Sequence, residues 1–226
     1  MKFGTSRRLK SGNFFTYVME IFIVIFGITV AYQLNVYYED KKDDKLEIAA
    51  IEKLHTENDS NIEEFKSLIE NRLKLEEDTR QLARILFTGG DLLSADLSHF
   101  LFDINQTHKP RIHYEGLNFY LNTNYNNIHS DLKSELVSLK NYYIELTSLI
   151  ADYVRMKEKY YGEFLVSQVD FGEEKILSLE KIESVEFKNL VVNLLSNEID
   201  LNTLFETAYQ KSIEVDNILQ KILDVH

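Results

Sequence analysis

The side chains able to carry chemistry are few and scattered. There are six histidines: His55, His99, His108, His113, His129 and His226. His108 and His113 lie five residues apart around Pro110, with Asp103 nearby. A metal site prefers ligands fixed on regular elements, such as two histidines four apart on a helix. The Pro110 loop does not supply that convergence, so no metal is expected. His55, Glu57 and Asp59 fall on a long helical pattern and read as surface groups. Glu63-Glu64 and Glu76-Glu77 are sequence neighbours, which point in different directions on a helix and are poorly placed for paired acid–base work. No H-E-x-x-H, G-x-S-x-G or kinase signature occurs, and no glycine-rich phosphate loop. Cysteine is absent, which removes disulfides and thiolate sites and leaves the compartment open. The expectation is a chain with no enzymatic activity and no cofactor.

One ionisable residue stands apart. Glu20 interrupts the stretch Phe14–Tyr38, FFTYVMEIFIVIFGITVAYQLNVYY, which otherwise reads as a membrane-spanning helix. About 20 helical residues cross a hydrocarbon core roughly 30 Å thick. Tyr17 near the start and Tyr32, Tyr37 and Tyr38 near the end suit the two interfaces. Glu20, Val24, Gly27, Ala31 and Asn35 are spaced four, three, four and four apart and share one face. Gly27 and Ala31 form a small-xxx-small pair, which lets a second helix approach closely. Glu20 has two readings: its side chain snorkels to the near headgroups, or it belongs to a packing seam for a second copy or another membrane protein. Proton-coupled chemistry at Glu20 is a third and weaker reading.

The pattern E-I-x-x-V-x-x-G-I-x-x-A-x-Q-x-N, from Glu20 to Asn35, resembles the membrane signature of a family of small single-span bacterial proteins with no assigned activity. A second stretch is similar to that family's mid-domain region: Tyr114-Glu115-Gly116-Leu117, then Leu132, Leu136 and Tyr142-Tyr143. The family's usual Asn-Trp after the span is here Val36-Tyr37. The resemblance implies an architecture of short basic lead, one span and a helical domain, and no site residue.

Charge sets the expected orientation. Residues 1–13 hold Lys2, Arg7, Arg8 and Lys10 without an acid, in a chain of net charge −12. Basic residues beside a first span favour the cytoplasmic side. The competing Lys41, Lys42 and Lys45 are fewer and interleaved with Asp40, Asp43 and Asp44. The expected location is therefore the inner membrane, single-pass, with a cytoplasmic amino terminus and a periplasmic domain. Thr29-Val30-Ala31 resembles a signal-cleavage site, but the long apolar run, Glu20 and the bulky neighbours argue against cleavage. An acidic body without a basic footprint excludes nucleic acid as a partner.

The elements expected to carry these residues are all helical: an all-α chain, one transmembrane helix continuing into an elongated antiparallel bundle over 39–226. Long helices are predicted at about 39–87, 130–169 and 198–224, from apolar residues three and four apart. Such long, regular patterns also suggest coiled-coil packing. Thr88-Gly89-Gly90-Asp91 should end the first helix. Shorter helices are expected from Ser94 to Phe102, over 114–121, at about 173–182, and over 185–196 with Ser184 as cap. Gly162 reads as a kink or as nothing, Phe171-Gly172 as a break, and no strand is expected. Thirteen Tyr and fourteen Phe make the chain rich in aromatic rings. Tyr114, Phe119, Tyr120 and Tyr125 crowd the middle of the chain, either pinning that segment to the core or forming a partner or ligand surface.

These features predict a membrane-anchored helical interaction or scaffold module, meeting the lipid bilayer, a second copy or another membrane protein. The alternatives are a ligand-sensing helical domain acting through a partner, and a proton-coupled component using Glu20.

Overall fold

A computed structural model of the chain describes residues 11–89, 95–125, 130–173 and 175–225. The basic lead up to Lys10, the Gly90–Ser94 turn and cap, His129 and His226 lie outside the described residues. The chain divides into two units, Met1–Glu47 and Ile48–His226.

The described part of the first unit belongs to helix α1, Ser11–Thr88. Every described side chain from Phe15 to Lys42 is exposed. An 18-residue window here has mean hydropathy 1.9 and is 0% buried, long and apolar enough to cross a membrane. Several polar side chains in and after it bond locally. Thr29 Oγ1 donates to the Ile25 carbonyl at 2.9 Å, the usual retreat for a hydroxyl on an apolar helix. Asn35 donates to Glu39 at 3.1 Å, and the Lys41 ammonium lies 4.9 Å from the Tyr37 ring centroid.

The second unit is an all-α bundle. It holds the rest of α1, α2 (Ala95–Asn105), α3 (Glu115–Asn122), α4 (Ser130–Met156), α5 (Glu163–Gln168), α6 (Leu179–Ile182) and α7 (Val185–Leu223). The buried positions explain why these long helices form. On α1 they include Ile51, Leu54, Asn58, Asn61 and Phe65, then Arg72, Leu75, Thr79, Leu82 and Leu86. On α4 they are Leu132, Leu136, Leu139, Tyr143, Leu146, Ile150 and Tyr153. On α7 they run from Phe187 through Val191, Leu194, Glu198, Leu201, Phe205, Ala208, Ser212 and Val215 to Leu219. Each series steps by four and three in alternation, with half-buried Leu68 filling the one wider step on α1, so each helix keeps one continuous face toward the others. Contacts fix the directions. Asn58 meets Ser212 and Arg72 meets Glu198, so α7 runs against α1. Tyr143 meets Ser212 and Lys157 meets Glu198, so α7 also runs against α4. Phe65 sits at the centre, its ring 4.8 Å from Phe205 and 6.1 Å from Tyr143.

Several expectations change. Leu46 and Leu73 belong to the apolar pattern of α1 but are exposed, because they fall off the four–three register. The predicted helices at 185–196 and 198–224 are one helix. Ser196-Asn197 carries no breaker, and Asn197 donates back to the Asn193 carbonyl at 2.8 Å. Ser184 does cap it, accepting from Phe187 N at 3.2 Å. The segment expected to be helical from 173 instead holds a two-residue strand, Lys175–Ile176, paired antiparallel with Val169–Asp170. Asp170 Oδ1 accepts from Gly172 N at 2.9 Å, so the aspartate closes the turn at the predicted break. The 130–169 helix contains a π-helical turn, Lys157–Gly162. A π-turn inserts one residue into the helix. The buried series after Tyr153 therefore steps by four each time, through Lys157, Tyr161 and Leu165 to Val169. Tyr161, and not Tyr160, therefore lies on the core face. The α1 helix ends at Thr88, and Gly89 adopts φ +70°, a left-handed conformation that favours glycine.

Candidate functional site

The core of the bundle holds two polar layers at positions that the helical repeat would otherwise fill with apolar residues. In the first, Asn58 donates to the Ser212 carbonyl at 3.0 Å and to Asp216 Oδ1 at 3.2 Å. The hydroxyls of Tyr143 and Ser212 lie 2.8 Å apart. Burial pushes the Tyr143 phenol up to about 12.

The second layer is charged. The Arg72 guanidinium is almost fully buried and is divided among three acceptors: Glu198 Oε2 at 3.0 Å, Asn202 Oδ1 at 2.8 Å and the His108 carbonyl at 2.9 Å. Its carbon lies 5.5 Å from the Phe205 ring centroid. Lys157, the first residue of the π-turn, donates to the Gln106 carbonyl at 2.6 Å. Its ammonium lies 3.8 Å from Glu198 Oε1 and 5.0 Å from the Tyr153 ring centroid. Burial holds the Lys157 ammonium down at about 8, with Glu198 opposing the fall and Arg72 adding to it. Burial also lowers Arg72, again opposed by Glu198. Burial, then the charge of Glu198, raises Tyr153 above the usual phenol range. Among the described residues, Glu198 Oε1 and the Tyr153 hydroxyl have no hydrogen-bond partner of normal geometry.

Both cations of this layer are almost fully enclosed, and none of its three charged side chains lines a described cleft. The layer ties α1, the π-turn and α7 together. Removing one partner of such a buried set typically costs about 3–5 kcal/mol, because the other charge is left uncompensated. Sequence reading missed all three residues. The available signal was their position: Arg72, Lys157 and Glu198 each occupy a core place in the four–three series.

A third polar set clamps the segment between α2 and α3 onto α1. Glu57, Asn61, Glu64 and Arg72 lie along one side of that helix. Asn61 makes two bonds to His113, donating to its carbonyl at 2.7 Å and accepting from its N–H at 2.8 Å. Glu64 accepts from Arg111 N at 3.0 Å. Glu57 accepts from Gly116 N at 2.7 Å and Leu117 N at 3.0 Å. It thereby satisfies N–H groups that the first turn of α3 cannot bond internally. Glu57, expected at the surface, is thus half-buried and employed. A Cβ on Gly116 would meet Glu57 Oε2 at 3.2 Å, so this glycine allows the carboxylate its close approach.

The predicted aromatic surface divides. Tyr120 is buried and packs 5.1 Å from half-buried Tyr125. Tyr114 and Phe119 are exposed, with the Lys53 ammonium 6.0 Å from the Phe119 ring centroid. The four do not form one patch. In the first unit, Glu20, Val24, Gly27, Ala31 and Asn35 are all exposed, and a Cβ on Gly27 would meet nothing within 4 Å. His108 and His113 each offer a backbone carbonyl to α1, and burial followed by the charges of Arg72 and Lys157 lowers the His108 imidazole.

A cleft of about 530 Å³ opens beside the π-turn, between α5 and the start of α7. Met156, Tyr160, Phe164, Phe187 and Leu190 give it an apolar lining, and Gln168, Lys181 and Asn193 add polar groups. Phe164 and Phe187 stack 4.2 Å apart. The π-turn creates this asymmetry: Tyr160 faces the cleft, while buried Tyr161 donates to the Leu101 carbonyl at 2.8 Å. A smaller pocket of about 330 Å³ lies beside Pro110 and Ala151. Comparison of the chain with family models, curated proteins and solved structures gave no match.

Proposed function

We propose that this chain is a membrane-anchored helical interaction module without enzymatic activity, in which the Phe14–Tyr38 span carries the bundle and assembles with a second copy or another membrane protein. The observation that carries this reading is the contrast between the two units. The apolar window is wholly exposed, whereas the bundle buries its own apolar faces. An uncovered run of Phe, Ile and Val is unfavourable in water and is at home in a bilayer. The basic lead supports an inner-membrane location with the bundle on the periplasmic side. The four–three spacing of the bundle fits coiled-coil packing.

The test uses the full chain. It should stay in the membrane pellet after alkaline carbonate washing and enter detergent. A crosslinker placed beside Gly27 should then trap a complex that Gly27→Leu abolishes. Recovery of folded, full-length chain in the wash overturns the anchor, and an unaltered complex in Gly27→Leu overturns the seam.

The π-turn cleft favours a second reading, a ligand-sensing domain acting through a partner. Its volume is within the range of small-molecule sites, about 300–1,000 Å³, and π-turns often mark functional positions.

A further inference from the structure

We propose that His55, Asp59 and Asp216 form a divalent transition-metal site that ties α1 to α7. His55 and Asp59 are four residues apart on α1, so their side chains share a face. Asp216 comes from α7, which passes that face in the opposite direction. One His55 nitrogen and one oxygen from each aspartate all lie within 4.8 Å of one another. The His55 Nδ1–Asp59 Oδ2 and Nε2–Asp216 Oδ1 separations are 3.6 and 3.5 Å.

These separations are too long for hydrogen bonds, which fall at about 2.7–3.2 Å for N–H···O. They belong to opposite nitrogens of one ring, and an ion takes only one of them. The site therefore forms with one His55 nitrogen and Asp216, with the half-exposed Asp59 carboxylate turning toward the same ion from a start in which one donor atom of each residue already lies within 4.8 Å of the others.

A separate observation comes from Asn58, in the same turn of α1 and almost fully buried. Its amide nitrogen donates to the Ser212 carbonyl at 3.0 Å and to Asp216 Oδ1 at 3.2 Å, and its amide oxygen has no hydrogen-bond partner among the described residues. An unsatisfied buried acceptor is costly, and this one belongs to a side chain already bonded to Asp216, the carboxylate that faces His55. One imidazole nitrogen with two carboxylates favours zinc or manganese over calcium, which prefers oxygen alone. His55 and Asp216 are each about three-quarters enclosed and Asp59 is half exposed, so solvent can deliver the ion.

The test is titration of zinc chloride into metal-free, detergent-solubilised full chain, followed by calorimetry and by melting temperature. One saturable equivalent is expected, with a rise in melting temperature because the ion binds the folded state. His55→Ala and Asp216→Asn should each weaken binding at least tenfold. Asp216→Asn keeps an oxygen for Asn58, so its metal-free melting temperature should match the parent. His99→Ala is the control, because His99 Nε2 also lies beside a carboxylate, 3.2 Å from Asp103 Oδ2. It should leave binding unchanged. Cobalt substituted for zinc should give a visible spectrum that His55→Ala abolishes. Absence of saturable binding, or equal binding in parent, His55→Ala and Asp216→Asn, overturns the proposal. So does loss of binding in His99→Ala alone.

Discussion

Lys157 is a lysine in a place the helical repeat reserves for an apolar side chain, and its environment makes folding depend on pH. Its ammonium titrates at about 8 in the folded chain, against about 10.4 for an unperturbed lysine. Between these values the unfolded chain binds the proton and the folded chain does not, so stability rises with pH. From pH 8 to 9.5 the gain from this residue is about 1–2 kcal/mol, at 1.36 kcal/mol per unit. The trend has an upper limit. Near pH 10 the unfolded chain's tyrosines ionise, while burial keeps Tyr143, Tyr153 and Tyr161 protonated in the folded chain. The slope then changes sign. Urea unfolding of the full chain in detergent at pH 7.5, 8.5 and 9.5 should show the rise. Lys157→Met should be flat over this window.

At the scale of elements, the contact that matters most is the one between the middle of α1 and the start of α3. The Glu57 carboxylate there acts as a cap supplied by a different helix. Glu57→Ala should cost about 0.5–2 kcal/mol, the range for a lost N-cap. Hydrogen exchange should speed up at the Gly116 and Leu117 amides before it does in the α4 core. Gly116→Ala should produce the same local loosening for a steric reason, since its Cβ would crowd Glu57 Oε2. If those two amides stay protected in both variants, the cap is not what orders α3. This clamp also shows what could be read from the sequence. The long helices were legible because Leu and Ile recur at helical spacing. The joints were not. Glu57, Asn61 and Glu64 look like solvent-facing residues until the backbone they hold is brought beside them, about fifty residues away. A regular helix would put Tyr160 on the core face, and the π-turn hands the position to Tyr161. Asn58 and Thr79 are polar residues on the apolar stripe of α1. In the fold Asn58 bridges to α7, and Thr79 returns its hydroxyl to the Leu75 carbonyl at 2.7 Å. The Arg72–Lys157–Glu198 layer left only three charged residues at core positions on three separate helices, with no local motif to join them.

For the whole molecule the governing quantity is the distribution of charge about the proposed span. Lys2, Arg7, Arg8 and Lys10 precede it without an acid, and Lys41, Lys42 and Lys45 follow it among aspartates. Acids weigh little in setting orientation, so the balance is decided by these two basic groups. Replacing the four leading residues with glutamine leaves only the following lysines, which then draw the bundle toward the cytoplasm. The chain has no cysteine, so a single introduced thiol reports its own side of the membrane without background. Glu206, exposed on α7, is a suitable position. In intact spheroplasts, Glu206→Cys on the parent lead should react with a membrane-impermeant maleimide. On the glutamine lead, labelling should fall by at least half and return on permeabilisation. Labelling of the parent only after permeabilisation would put the bundle in the cytoplasm. The proposed partner would then have to be sought there, and the proposed anchor would be unaffected.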